Sequence, residues 1–329
     1  KSDIFNPLLD LLVATVSKPI FDAQIVAREK QRITSAIAEG DTKPEIVLQK
    51  RFRKQLFGDY PLAESPSLSS IAAIGADDLK RFHRDFYRQD RIIINMVGDL
   101  DAKAAKEIAE KLIAQLPQQG PAIPALPPFA RSPITPEADR LIRIPFQSQQ
   151  THIAMGMTAI TRNNPDFFPL LVGNYVLGGG GFVSRLMSEV REKRGLTYGV
   201  GTSNAVYDHA EMIMGSAAVA NENVAQAIQV IRDEWARIAK DGITEKELQD
   251  TKTYMTGAYP LRFDGNSQIA SILVGMQMLG LSADYPKTRN AKVNAVTMDD
   301  ISRVAKRLLK PENLSFVVVG DAAGVEATE

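Results

Sequence analysis

The residue types that most often carry catalysis are sparse in this chain. It has no cysteine and three histidines, His83, His152 and His209. None of the three belongs to an H-E-x-x-H or H-x-x-E-H pair, the spacing that brings two imidazoles to one helical face around zinc, so each reads as a surface or half-buried histidine. The missing cysteines exclude a thiolate nucleophile, a thiolate metal site and a disulfide framework. Without a G-x-S-x-G elbow, a serine hydrolase of that type has no support. Gly178-Gly179-Gly180-Gly181 invites comparison with a phosphate-binding loop. The segment before it has helical rather than strand character, no Gly-Lys-Ser/Thr follows, and no acidic residue stands at dinucleotide spacing. The four glycines therefore read as a turn between two helices that permits close backbone approach.

The segment after the glycines is more specific. It runs Ser184-Arg185-Leu186-Met187-Ser188-Glu189-Val190-Arg191-Glu192-Lys193-Arg194-Gly195-Leu196-Thr197-Tyr198-Gly199-Val200. This order predicts a charged helix carrying Arg191, a break at Gly195 and a strand starting near Tyr198. Residue type alone leaves Arg191 either a solvated helix residue or a functional one, and Tyr198 either a strand-packing tyrosine or a functional one.

A longer pattern must position this segment. Strand-like runs at 141–145 and 151–157 precede a helix at 165–177, and further strands are expected around Tyr198 and Met212. Val224, Ile228, Ile231, Trp235 and Ile238 then fall on one helical face, with Gly242 where a C-terminal cap belongs, which makes Trp235 a core residue. Thr244 and Glu247 have capping-box spacing, and Asp22 is the corresponding helix cap nearer the N-terminus.

The chain is internally duplicated at an offset of 222 residues. Ile71-Ala72-Ala73-Ile74-Gly75-Ala76-Asp77-Asp78-Leu79 lies over Val293-Asn294-Ala295-Val296-Thr297-Met298-Asp299-Asp300-Ile301, and the match runs ungapped to Val97-Gly98-Asp99 over Val319-Gly320-Asp321. In each copy an Asp-Asp pair opens an amphipathic helix, with Leu79, Phe82 and Phe86 or Ile301, Val304 and Leu308 as its apolar face. A strand follows, at 91–97 or 314–319, and ends in a Gly-Asp turn. Seven of the 18 prolines, at 117, 121, 124, 127, 128, 133 and 136, mark a stiff linker between the copies. The expected organisation is an N-terminal repeat domain over 1–116, the linker over 117–139 and a C-terminal repeat domain over 140–329. Subtracting 222 from 140–221 places those equivalents before Lys1, so the first domain is expected to lack about 80 residues and most of its sheet.

Composition narrows the partners. The 39 basic and 39 acidic residues cancel, leaving no global field to concentrate nucleic acid or an anionic membrane. No apolar run approaches the ~20 residues of a membrane span, and even Ile272-Leu273-Val274-Gly275-Met276 is broken at Gln277. At roughly 100 to 200 residues per domain, 329 residues suggest two domains.

On the duplicated halves, the proline-rich linker, the glycine run and Arg-Glu-Lys-Arg-Gly-Leu-Thr-Tyr, the chain resembles the pitrilysin, or insulinase-like, zinc metallopeptidases, which include the mitochondrial processing peptidases. The resemblance implies an α+β fold, two duplicated α/β-sandwich domains enclosing a peptide-binding chamber, the first lacking its N-terminal strands. In that family the first half carries H-x-x-E-H with a distal glutamate as third zinc ligand. The second half carries an Arg and a Tyr seven residues apart that donate hydrogen bonds near the scissile carbonyl. Arg191 and Tyr198 match that pair. The zinc motif would lie before Lys1, and in the helix that begins Arg28-Glu29-Lys30 the third-ligand position falls on Ala36, whose methyl group cannot bind a metal; Glu39, three residues on, is the nearest carboxylate.

What the resemblance implies is therefore a non-metal, substrate-binding subunit with no cofactor of its own. Zinc is expected on a paralogous H-x-x-E-H subunit, and the pair would cleave peptides or unfolded polypeptides, with no activity from this chain alone. Two alternatives stand beside it: a structural subunit like the core proteins of respiratory complexes, and a complete zinc peptidase whose metal motif precedes Lys1. The expected location is the periplasm, since paired bacterial members of the family are often exported.

Overall fold

The computed structural model describes residues 5–127, 129, 140–207 and 210–326. His209, Pro128, Pro133 and Pro136 lie outside them. Six helices come first: α1 (Phe5–Ser17), α2 (Ala23–Gly40), α3 (Pro44–Phe57), α4 (Leu68–Ala73), α5 (Ala76–Phe86) and α6 (Ala102–Ile113). Residues 117–127 hold neither helix nor strand. Then follow β1 (Leu141–Ile144), β2 (Gln150–Thr158), α7 (Phe167–Asn174), β3 (Thr197–Tyr207), β4 (Ala210–Ala220), α8 (Val224–Asp241) and α9 (Glu245–Ala258). The chain closes with α10 (Asn266–Met278), α11 (Tyr285–Asn294), α12 (Met298–Leu308) and β5 (Ser315–Val319).

The polypeptide forms two compact units. One comprises Glu39–Ser65, Pro127–Gly257 and Thr288–Glu329, and the other Lys1–Ala38, Pro66–Leu126 and Ala258–Lys287. The sheet belongs to the first of these and has the order β1-β5-β2-β4-β3. β1 runs parallel to β5, while β2 pairs antiparallel with both β5 and β4, and β3 antiparallel with β4. Alternation along the central strands gives each sheet face its own core. Ile153, Met155, Phe316 and Val318 join the large cluster that holds Trp235, Ile231 and Ile238 of α8 and Ile301 and Val304 of α12. Ala154, Val317 and Val319 point the other way, onto Leu48 and Phe52 of α3. The expected α+β sandwich is thus present in this unit, with helices on both faces of a mixed sheet.

Local signals read from the sequence account for the helix ends. Gly242 closes α8 at φ 71°, a conformation that favours glycine. Thr244 and Glu247 cap α9 reciprocally, and the Asp22 carboxylate accepts from the N–H groups of Gln24 and Ile25 at the start of α2. At the repeated positions, Asp300 accepts from Thr297 N–H and Asp78 from Gly75 N–H, at 3.0 and 2.8 Å.

The two repeats exchange a helix. α3 lies 222 residues before α10, yet α3 packs in the unit holding the sheet and α10 in the other. The expected strand over 91–97 does not form: among the described residues of its unit no strand is assigned. A strand exists through its ladder: its counterpart β5 is held between β1 and β2, whereas no strand lies beside 91–97 among the described residues. The consequence shows in burial: Phe316, Val318 and Val319 are fully buried, whereas Ile94, Met96 and Val97 at the matching positions are only half-buried.

Phe52 is 4% exposed and reaches the sheet where Gly156 leaves room for it, since a Cβ on Gly156 would lie 2.8 Å from the Phe52 ring. Phe52→Ala is expected to lower stability by about 3 kcal/mol in urea unfolding; a loss below about 1 kcal/mol would mean that α3 contributes little to this core.

Candidate functional site

Two departures from regular helix frame the segment that carries Arg191. α7 widens into a π-helical turn at Tyr175–Gly179, and a second π-helical turn runs over Met187–Glu192. Such turns occur where side chains must be re-aimed, often at functional sites. The glycine run lies against β3 because it has no side chains there: a Cβ on Gly178 would stand 2.5 Å from Thr202 Oγ1 and 2.9 Å from a Leu186 methyl. Asn174, 2% exposed, fixes the same junction. Its amide donates to Asn204 Oδ1 at 2.8 Å and its Oδ1 accepts from the Thr202 hydroxyl at 2.7 Å.

The Arg191 segment is joined to the start of β3 by its backbone. Gly195 N–H donates to Arg191 O and Leu196 N–H to Val190 O, at 2.8 and 2.9 Å, and Gly195 turns at φ 64°. Val200 N–H points at the Met187 sulfur, 3.4 Å away.

The charges of this segment are sorted by one carboxylate. Glu189, 8% exposed, accepts from Lys193 Nζ at 2.6 Å and from Arg194 Nη1 at 2.7 Å, and Arg237 approaches it at 3.5 Å. Arg185 forms a bidentate pair with Glu247, both contacts 2.7 Å. Glu189, Lys193, Arg237, Arg185 and Glu247 line a polar concavity of about 450 Å³ between the second π-helical turn and the α8–α9 junction. Neither Arg191 nor Tyr198 lines it, and its acids and bases are largely spent on one another, so it serves as the footing of the segment.

Arg191 is treated differently. Its side chain makes no ion pair or hydrogen bond among the described residues, and its guanidinium rests 4.8 Å over the ring of Phe182, itself 66% exposed. Tyr198 is 86% exposed, also without a hydrogen-bond partner, at a bulge where the β3–β4 register shifts between Thr197 and Val200. The packing role open to a strand tyrosine is therefore excluded here. The sequence did not single out Phe182, Glu189 or Asn174; only Glu189 left a trace, as the i,i+4 partner of Lys193.

The remaining candidates lie elsewhere. His83 is half-buried with Nε2 2.7 Å from Val16 O, and His152 is half-buried on β2. Among the described residues no three His, Cys, Asp or Glu side chains cluster as metal ligands would. Ala36 is an exposed methyl group on α2, and the Glu39 carboxylate is taken by Lys43 at 2.7 Å, which also holds its pKa below the ordinary value. The described side chains do not fit a zinc ion. No helix among the described residues is long and apolar enough to cross a membrane.

Comparison with known proteins follows this geometry. Residues 73–255 match the family described as "Peptidase M16 inactive domain". The crystal structure of such a domain from Pseudomonas fluorescens superposes with a TM-score of 0.89 at 30% identity, over 99% of this chain and 77% of that one. A Bacillus subtilis protein called an uncharacterized zinc protease, YmxG, is 25% identical over 92% of this chain and 72% of its own length. The β subunit of the yeast (Saccharomyces cerevisiae) mitochondrial-processing peptidase is 24% identical over 96% of this chain and 71% of its own length.

The footing titrates with a defined sign. Hydrogen bonds from Lys193, then Arg194, hold the Glu189 carboxyl at a pKa of about 2. Burial pushes Glu247 upward, but Arg185 and the Thr244 N–H outweigh it and hold it at about 2 as well. Both values lie below the ordinary 4.5, so the unfolded chain binds these protons first. Their stabilisation is complete above about pH 5 and is lost as the pH falls toward 2. Trp235, the only tryptophan and fully buried, reports on this core. The urea midpoint followed by its fluorescence should fall between about pH 5 and pH 2.5, less steeply in Glu189→Gln. An identical pH slope in the variant would refute the assignment.

Proposed function

The chain belongs to the peptidase M16 family, and from that premise we propose that it is a substrate-binding, non-metal subunit of a two-chain zinc peptidase that cleaves peptides or unfolded polypeptides. In this reading the zinc sits on a paralogous H-x-x-E-H partner, and this chain contributes Arg191 and Tyr198. Two findings support it: the match to an inactive domain and the likeness to a protein named as one subunit of a processing peptidase.

The observation that carries the reading is that two strong donors stand unused on a segment whose other charges are largely paired. A guanidinium and a phenol each donate and, held in advance, meet a carbonyl oxygen better as negative charge builds on it. Interactions that strengthen in the transition state raise kcat, and loss of one such donor costs on the order of 10²-fold to 10³-fold. β3 is an outer strand of the sheet and has its second edge free of a strand among the described residues. An extended peptide added there would gain main-chain hydrogen bonds without sequence preference.

A quenched fluorescent peptide tests the reading, incubated with this chain, with the H-x-x-E-H paralogue, and with both. Cleavage is expected only in the mixture, with kcat falling on the order of 100-fold in Arg191→Ala and again in Tyr198→Phe. An active mixture indifferent to both substitutions would make this chain a scaffold, and zinc-dependent cleavage by the chain alone would overturn the division of labour.

A further inference from the structure

The exposure of Tyr198 is unusual for its place. It stands one residue into a strand whose neighbours Leu196, Thr197 and Val200 are all buried, and it has the ring of a residue type that normally packs. The cause is local. Between Thr197, opposite Val219, and Val200, opposite Ala217, β3 spends three residue steps where β4 spends two. The extra residue is a β-bulge, a device that re-aims a side chain and frequently lies beside active sites.

A bulge interrupts the ladder and leaves backbone groups to be satisfied by other means. Here a single side chain does so. The Thr197 hydroxyl oxygen accepts from Gly199 N–H at 3.1 Å, which closes the bulge across Tyr198. The same oxygen lies 2.6 Å from Ala218 O on β4 and 2.9 Å from Gly199 O, so its one proton bridges the bulge to the neighbouring strand or to itself. Thr197 is 8% exposed, which keeps water from competing for these bonds. Beyond the bulge, the Val200 N–H contact to Met187 leads directly into the π-helical turn that presents Arg191.

We infer that Thr197 is a positioning residue: its hydroxyl locks the bulge that projects Tyr198 from β3 toward bound peptide. The inference rests on the function proposed above for Tyr198 and adds what sets that residue's aim. A hydroxyl is required, and the methyl group of Thr197 is not. Serine therefore preserves the lock, whereas valine, of nearly the same shape, removes acceptor and donor together. A donor displaced by about 1 Å loses on the order of 10²-fold in rate.

The test uses the full chain with its H-x-x-E-H partner and a quenched fluorescent peptide. Thr197→Val should lower kcat tenfold or more while Thr197→Ser stays within about twofold of the parent. The double variant Thr197→Val/Tyr198→Phe should be no slower than Tyr198→Phe alone, because both substitutions remove one interaction. Multiplying losses, or an unchanged kcat in Thr197→Val, would overturn the inference while leaving the role of Tyr198 standing. If Tyr198→Phe itself leaves kcat unchanged, the proposed role of Tyr198 falls instead. The lock is then decided by hydrogen exchange at the Gly199 amide, expected to quicken in Thr197→Val and to be restored in Thr197→Ser; equal exchange in all three would overturn it.

Discussion

A half-buried helix cannot present several bare cations at once, and in the turn that carries Arg191 the Glu189 carboxylate resolves the conflict. It takes the charges of Lys193 and Arg194 and draws in Arg237 from α8. Without it, Lys193 and Arg194 would lose their acid partner and repel one another. With it, Lys193 and Arg194 are held against an acid, whereas Arg191 leans on the Phe182 ring. A guanidinium over an aromatic face keeps its outward donors available, whereas one held in a carboxylate fork does not. The bidentate Arg185–Glu247 pair completes the footing by tying the same turn to the start of α9.

That footing depends in turn on the sheet. β3 can carry an exposed tyrosine at a bulge only because β4, β2 and β5 behind it are packed on both faces, by the α8–α12 layer and by α3. The contrast with the other unit shows the same rule by default. There the residues matching β5 form no strand, and Ile93 is 42% exposed. The matched part of the duplication is therefore clear as a sequence pattern and asymmetric as a structure. The exchange of α3 and α10 between the units explains why a boundary drawn between the repeats differs from one drawn by contact.

Much of this was legible in the residues. The period of Val224, Ile228, Ile231, Trp235 and Ile238 specified α8 and its buried face, and the Thr244–Glu247 spacing specified the cap of α9. The apolar run at 314–319 before the Gly-Asp turn placed β5, and the segment order around Gly195 placed Arg191 and Tyr198 on their elements. What the sequence concealed is what long-range packing decides. The strand pattern at 91–97 is sound locally, but among the described residues no neighbouring strand pairs with it. π-Helical widening differs from α-helix by one residue per turn, which periodicity over six residues cannot resolve. The pairing of Glu189 with Arg237 joins residues 48 apart, and nothing in Thr197 as a residue type distinguishes a hydroxyl that closes a bulge from one that fills a strand.

The central claim, that Arg191 and Tyr198 face the peptide at the point of cleavage, is tested most directly by photo-cross-linking. A benzophenone amino acid at position 198, irradiated with peptide in the presence of the H-x-x-E-H partner, should attach to residues flanking the bond that the pair cleaves, as mapped by mass spectrometry. Attachment confined to residues remote from that bond, or none above the level of a probe at the exposed Tyr254, would contradict the account.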